Sequence, residues 1–203
     1  MPESPDTTTV DLRRCLVPQG ALEFVCACSA SHGLLVADWL VSDAVAESAP
    51  GNPRRLPTGF RAALDRALRQ AAPVVPVGIP FDPLDYLRDA ANWRAPADVP
   101  SGSPHSRKVW QALCNIPVGE TRSYGDIARA IGSSAQAVGQ ACRANPWPLF
   151  VPCHRVVPVS ASGHRAGGYA GQRQGPLADI KGWLLNHEIP GSWPGIATSC
   201  RLP

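Results

Sequence analysis

The chain has 203 residues, 44 % of them hydrophobic and 17 % charged, with a formal net charge of +3. That length allows one large domain or two small ones and buries a core without disulfide or metal staples. No apolar run approaches the roughly 20 residues of a membrane span. The polar, acidic start "MPESPDTTTVDLRR" is unlike a secretory signal. Seven cysteines, an odd number without framework spacing, fit free thiols in a reducing cytoplasm.

The charge is unevenly placed. Residues 1–99 carry nine Arg against twelve Asp and Glu, whereas residues 100–203 carry ten Lys and Arg against four Asp and Glu. The second half is therefore the half expected to meet an anionic partner.

In chain order, "ALEFVCACS" (21–29) alternates, with Leu22, Phe24, Cys26 and Cys28 on one face, and reads as a half-buried strand. "SASHG" is a turn, and "GLLVADWLV" (33–41) is a second strand. "SAPGNPRRLP" (48–57) is a loop. "GFRAALDRALRQAA" (59–72) has apolar residues at Phe60, Leu64, Ala67, Leu68 and Ala71, which is helical spacing. "PVVPVGIP" is extended and broken by proline, and "APADVPSGSP" (95–104) is the best domain boundary. It divides the chain into 1–100 and 101–203.

The second half is more helical. "HSRKVWQALCNIP" (105–117) opens with a helix carrying Val109, Trp110 and Leu113 on one side. Ser123 is the N-cap of "SYGDIARAIG", with Asp126 as a capping-box acid and Gly132 as the stop. "SS" caps "AQAVGQACRA", which ends at Asn145-Pro146. Two short helices so joined fit either a plain helical hairpin or a helix-turn-helix. The second is slim: Ala135, Ala137, Gly139, Ala141 and Ala144 suit close approach to a neighbouring helix or to a nucleic-acid groove. "LADIKGWLLNHE" (177–188) is amphipathic, with Ile180, Trp183, Leu184 and His187 on one face.

The chemistry concentrates in "VPCHRVVP" (151–158). A free thiol with a pKa near 8.5 is only a few per cent thiolate at neutral pH, so a nucleophilic cysteine needs a base or nearby positive charge. His154 and Arg155 adjoin Cys153, and Glu188 supplies a carboxylate from a distant helix. A Cys–His–Glu relay is thus available in composition. A buried structural thiol satisfies the same local sequence.

"IPVGETRSYGDIARAIG", "AVGQACRANPWPLFVPCHRVV" and "GGYAG…KGWLLNHE" resemble the O6-alkylguanine-DNA alkyltransferase family, in order from about Ser103 to Glu188. The resemblance implies an α+β protein: a small N-terminal β-sheet/α domain, ribonuclease H-like, and a mostly helical C-terminal domain with a helix-turn-helix and an active-site cysteine loop. It implies a single-turnover transfer of an alkyl group from O6 of guanine (or O4 of thymine) in DNA to the protein's own thiol, without cofactor. Carried over by position, Cys153 is the acceptor, His154 the base acting through water, and Glu188 its orienting group. Asn145 is the hinge beside the site. Tyr124 donates toward the guanine or presses on the rotated phosphate, and Arg155 braces the core. Val156, Tyr169, Ala170 and Gly171 line the pocket. The DNA-facing set is Arg122, Ala135, Gln136, Ala137, Gly139 and Arg143, with the slim helix in the minor groove and the target base rotated out of the stack. The expected partner is DNA, with no membrane and a monomeric chain.

Two departures stand out. The family's arginine finger is replaced by Gln136, which would fill the gap left by an extruded nucleotide less well. "QRQGPLADI" after "GGYAG" is several residues longer than the family pattern, and "SASGHRAGG" is slightly long. Loops accept such insertions cheaply, but these frame the alkyl pocket. They keep open an enzyme acting on a small-molecule electrophile. A non-catalytic lesion sensor ranks lower, because such relatives lack the cysteine. Some family members hold a structural zinc near the N-terminus. Cys15, Cys26, Cys28 and His32 make a poor ligand pattern, and no metal is expected.

Overall fold

A computed structural model describes residues 10–16, 22–29, 33–41, 58–70, 85–86, 89–93, 98–159 and 166–189. Three strands, β1 (Val10–Leu16), β2 (Leu22–Ser29) and β3 (Gly33–Val41), form an antiparallel meander in the order β1-β2-β3. The sequence pattern does not mark β1: the polar residues of "VDLRRCL", Asp11, Arg13 and Arg14, do not alternate with apolar ones. Pairing with β2, from Val10 opposite Ser29 to Leu16 opposite Glu23, makes it a strand.

The half-buried reading of β2 is corrected by α1 (Thr58–Gln70). Phe24, Cys26 and Cys28 do share one face and join the main core. The other face is buried too: Val25 and Ala27 pack with Leu35, Val36, Phe60 and Leu64, so α1 covers the second side of the sheet. The second face escaped notice because its residues are small or β-branched and sit between cysteines.

Helix α2 (Pro104–Cys114) starts at Ser103, whose hydroxyl accepts from Ser106 N, and buries Val109, Trp110 and Leu113 as the spacing required. The capping box on α3 (Tyr124–Ile131) is complete: Ser123 Oγ accepts from Asp126 N and Asp126 Oδ2 accepts from Ser123 N, both at 3.0 Å. Gly132, at φ 67°, closes this helix in a left-handed turn that costs a Cβ-free residue little. Ser134 then caps α4 (Ala135–Arg143). The slim residues of α4 serve internal packing in part: Ala141 and Val138 are buried, and Trp110 Nε1 donates to the Ala141 carbonyl at 2.9 Å.

A short 3-10 turn, Cys153–Arg155, runs into β5 (Val156–Val157), which pairs in parallel with β4 (Arg122–Ser123). The last described helix is α5 (Pro176–Glu188). It is not the amphipathic helix its sequence suggested. Every residue from Ile180 to Asn186 is buried, including Lys181 and Gly182, whereas His187 is only partly covered. A single core cluster joins β2 and β3 to α2, α3, α4 and α5 through Phe24, Trp39, Phe150 and Trp93. Among the described residues, no helix is long and apolar enough to cross a membrane.

Candidate active site

The segment from Asn145 to Cys153 is shaped by one side chain. Asn145 Nδ2 donates to the Val151 carbonyl at 2.9 Å and lies 3.4 Å from Cys153 Sγ, while Asn145 Oδ1 accepts from Trp147 N at 3.0 Å. The sheet grips the same segment: Ala37 N donates to the Pro146 carbonyl and Trp147 Nε1 to the Leu35 carbonyl. Leu149, buried and at φ 72°, turns the chain back into the core. A left-handed non-glycine residue costs on the order of 1–3 kcal/mol and persists only where its surroundings over-determine it. Asn145 and the edge of β3 supply that determination.

Cys153 is 6 % exposed and lies on the wall of a cavity of about 300 Å³. That volume is at the small end for ligand pockets. Its mouth is framed by Tyr124, Gly139 and Arg143 from α3 and α4, and by a tight turn, Tyr169–Gln172. In that turn Ala170 and Gly171 both have positive φ, at 49° and 85°, and Tyr169 and Gln172 exchange backbone hydrogen bonds of 2.8 and 2.9 Å. A Cβ on Gly171 would stand 2.7 Å from Arg143 Nε, so the bare glycine lets α4 and the turn meet.

Behind the thiol lies a buried charge cluster centred on Glu188, whose side chain is 1 % exposed. Its Oε1 faces His154 Nε2 at 2.8 Å and accepts from Arg155 Nη2 at 2.8 Å and Tyr86 Oη at 2.9 Å. Its Oε2 accepts from Gly119 N at 2.9 Å and Arg155 Nε at 3.0 Å. Arg155 also donates to the Ile116 carbonyl. Burial alone would raise the Glu188 pKa, but His154 and Arg155 outweigh it and hold the carboxyl well below its usual range. An ionised Glu188 obliges His154 Nε2 to donate, which leaves Nδ1 with the free lone pair. Nδ1 is buried and has no hydrogen-bond partner among the described residues. Burial pushes the His154 pKa down more than Glu188 raises it, so the ring is neutral and able to accept a proton.

Burial also pushes the Cys153 thiol up, against hydrogen bonds from Asn145 and Tyr169 and the charge of Lys181, which pull it down. Lys181 is fully buried, donates to the Val156 carbonyl at 2.7 Å and the Gly168 carbonyl at 3.3 Å, and sits over the Tyr124 ring. Burial brings its ammonium down to about 8, opposed by the nearby Cys153 and Cys142. The site therefore holds a protonated thiol, a neutral imidazole and a cation on the cavity wall. That set can deliver a sulfur nucleophile to a carbon without building up net charge first.

The structure gathers Cys153, His154, Glu188 and Asn145 into one unit, and Tyr124, Tyr169, Ala170 and Gly171 around one cavity. Val156 is corrected: it is fully buried, lies outside the cavity lining, and contributes its carbonyl to Lys181. Of the residues expected to face DNA, Ala135, Gln136 and Arg143 are exposed, and Ala137 and Gly139 are half-buried on the same helix. Arg122 is exposed and pairs with Glu120 at 2.7 Å. The long segment after "GGYAG" is absorbed as a loop of Gln172–Gly175 and the first turn of α5, and Gln172 and Arg173 join the cavity wall. Residues 160–165 of the other long segment lie outside the described residues, as do His32 and the Cys15 side chain. Cys26 and Cys28 are buried and outside any disulfide, and among the described residues no group of His, Cys, Asp and Glu is placed to hold a metal.

Tyr86, Gly119, Trp39 and Lys181 were missed from sequence. Lys181 had a signal, a lone charge inside the apolar run "IKGWLL". Tyr86 and Gly119 had none, because each meets Glu188 across more than sixty residues of chain.

The family model described as "6-O-methylguanine DNA methyltransferase, DNA binding domain" matches residues 104–189. The constitutive methylated-DNA–protein-cysteine methyltransferase of Bacillus subtilis is 51 % identical over 89 residues, covering 43 % of this chain and 50 % of the relative. The corresponding protein of Mycobacterium leprae is 51 % identical over 90 residues, covering 43 % and 52 %. The chain thus spans about half the length of the curated relatives it matches. Solved structures extend the likeness further. Mycobacterium tuberculosis O6-methylguanine methyltransferase aligns with a TM-score of 0.53 at 29 % identity, over 89 % of this chain and 93 % of that one. Mycobacterium tuberculosis OGT in complex with DNA aligns with a TM-score of 0.51 at 30 % identity, over 87 % and 91 %. With the cysteine turn, the buried Glu188 cluster and the paired helices in one frame, the chain belongs to the O6-alkylguanine-DNA alkyltransferase family.

Proposed function

We propose that this protein removes an alkyl group from O6 of guanine in DNA by transferring it to Cys153, once per molecule. The observation that carries the reading is Cys153 on a cavity wall, in a turn that continues into a neutral His154 held by an ionised Glu188. Relatives named as methylated-DNA–protein-cysteine methyltransferases and a DNA-bound structural neighbour support it.

In the proposed reaction the Cys153 sulfur attacks the alkyl carbon as its bond to O6 breaks. The thiol proton passes through a bridging water to His154 Nδ1. Burial pushes the Tyr124 hydroxyl well above its ordinary range, so it stays a hydrogen-bond donor. It supports the departing guanine, which leaves as the neutral base while His154 returns its proton through solvent. The product is a stable thioether. Asn145 and Tyr169 donate toward the sulfur and favour its charged form. Slim α4 enters the minor groove, with Gln136 in the gap of the rotated nucleotide and Arg143 near its phosphates. In this division of labour, residues 101–203 carry the chemistry and 1–100 brace them. Cysteines outside any disulfide at positions Cys26, Cys28, Cys114, Cys142 and Cys153 suit a reducing compartment such as the cytoplasm.

The test is an intact mass after incubation with a duplex carrying O6-methylguanine. One methyl is expected, at Cys153, and none in Cys153→Ala. Gln136 and the Arg173-bearing loop favour a second reading, transfer from a small-molecule electrophile. Neither binding nor transfer with the duplex would favour that reading.

A further inference from the structure

Trp39 belongs to β3, far in sequence from the cysteine turn, and is 4 % exposed against Phe24. Its indole Nε1–H donates to Tyr169 Oη at 3.2 Å across 130 residues, and Tyr169 Oη lies 3.9 Å from Cys153 Sγ. A phenol oxygen that accepts from an indole has its own proton left to give. Among the described residues the group on its other side is the cysteine sulfur, which as a thiol gives its hydrogen to the phenol oxygen and, once ionised, becomes the acceptor of the phenol proton. Hydrogen bonds in a chain polarise one another, so the indole makes the phenol a better donor. We propose that Trp39 is a positioning residue for the nucleophile: it fixes the Tyr169 hydroxyl as a donor to the Cys153 thiolate, and so makes the N-terminal sheet part of the reactive centre. This rests on the reading of Cys153 as the nucleophile and adds to it the control of its ionisation.

The groups that face the sulfur are Asn145, Tyr169, Lys181, Cys142 and Tyr124. Asp38 is the further charge near Tyr169, and its own carboxyl is pushed up by burial. None of these replaces the indole donor, since Lys181 is committed to the Val156 and Gly168 carbonyls. Losing the indole frees the phenol to turn from the sulfur, which raises the thiol pKa. Reactivity then falls at neutral pH and recovers at alkaline pH.

The experiment follows carbamidomethylation of Cys153 by iodoacetamide against pH, read on the Cys153 peptide by mass spectrometry. Trp39→Phe is expected to raise the midpoint by about half a pH unit, with about threefold less thiolate at neutral pH. In a Tyr169→Phe background the same substitution is expected to add nothing. An unmoved midpoint overturns the proposal, as does an equal shift with and without Tyr169. If Trp39→Phe fails to fold, the Trp39 indole N–H resonance of the wild-type protein is followed instead. It must move with the Cys153 midpoint, and a flat resonance overturns the proposal. Because the reagent requires no DNA, failure of methyl transfer from the duplex would count against the DNA reading alone.

Discussion

Replacing Glu188 by Gln tests the buried cluster most directly. Tyr86, Gly119, His154 and Arg155 all direct donors at the two carboxylate oxygens. An amide keeps the shape but places an NH2 where an acceptor stood, and leaves the Arg155 charge, 2 % exposed, without its counter-ion. Breaking a buried pair in this way costs about 3–5 kcal/mol. For a chain of this size that is a fall in Tm of about 6–20 °C. The assay is thermal and urea unfolding at pH 7, followed by circular dichroism. The Glu188 pKa is depressed in the folded state, so its stabilisation is fully present above the ordinary value of about 4.3 and is lost as pH falls from there toward the folded value. The neutral His154 lowers the stability of both proteins as pH drops through about 6.5, so the comparison is read below pH 4.3. The gap between wild type and variant should close in that range. A loss under about 1 kcal/mol, the worth of an exposed pair, or a gap constant from pH 7 to pH 3, would refute the reasoning.

Gly139→Ala should stabilise the protein by up to about 1 kcal/mol, because a mid-helix glycine is costly. The added methyl would sit 3.9 Å from the Tyr124 ring, an ordinary contact. If α4 enters a groove, the same change weakens duplex binding in a titration; stabilisation with unchanged binding would remove α4 from the interface. Gln136→Arg should tighten duplex binding, measured by fluorescence anisotropy, and unchanged affinity would count against the role given to that exposed position. Ser123→Ala removes a complete capping box and should cost about 1 kcal/mol in urea unfolding. A change of a few tenths would mean that β4–β5 pairing already fixes the start of α3.

Local grammar made much of this structure legible. Caps at Ser123 and Ser134 and the stop at Gly132 are statements about single turns, and the backbone obeyed them. The cysteine turn was legible because its neighbours follow a family pattern. What escaped depended on contact across the chain. β1 is a strand only because β2 lies beside it. Val156 is buried in the core, and its carbonyl accepts from Lys181, a residue far along the chain that is itself buried. α5 hid its burial behind Lys181 and Asn186, polar residues that are nonetheless buried, the lysine through bonds to the Val156 and Gly168 carbonyls. Tyr86, Gly119 and Trp39 have no local pattern that marks them.

The Glu188 cluster also sets when competence arises during synthesis. Its carboxylate closes on Tyr86, 102 residues upstream, and on Gly119, 69 residues upstream. A nascent chain still tethered before that carboxylate emerges has its thiol but not the group that orients the imidazole beside it. On the proposed reading, the relay through His154 is therefore complete only once residues from three distant parts of the chain have met.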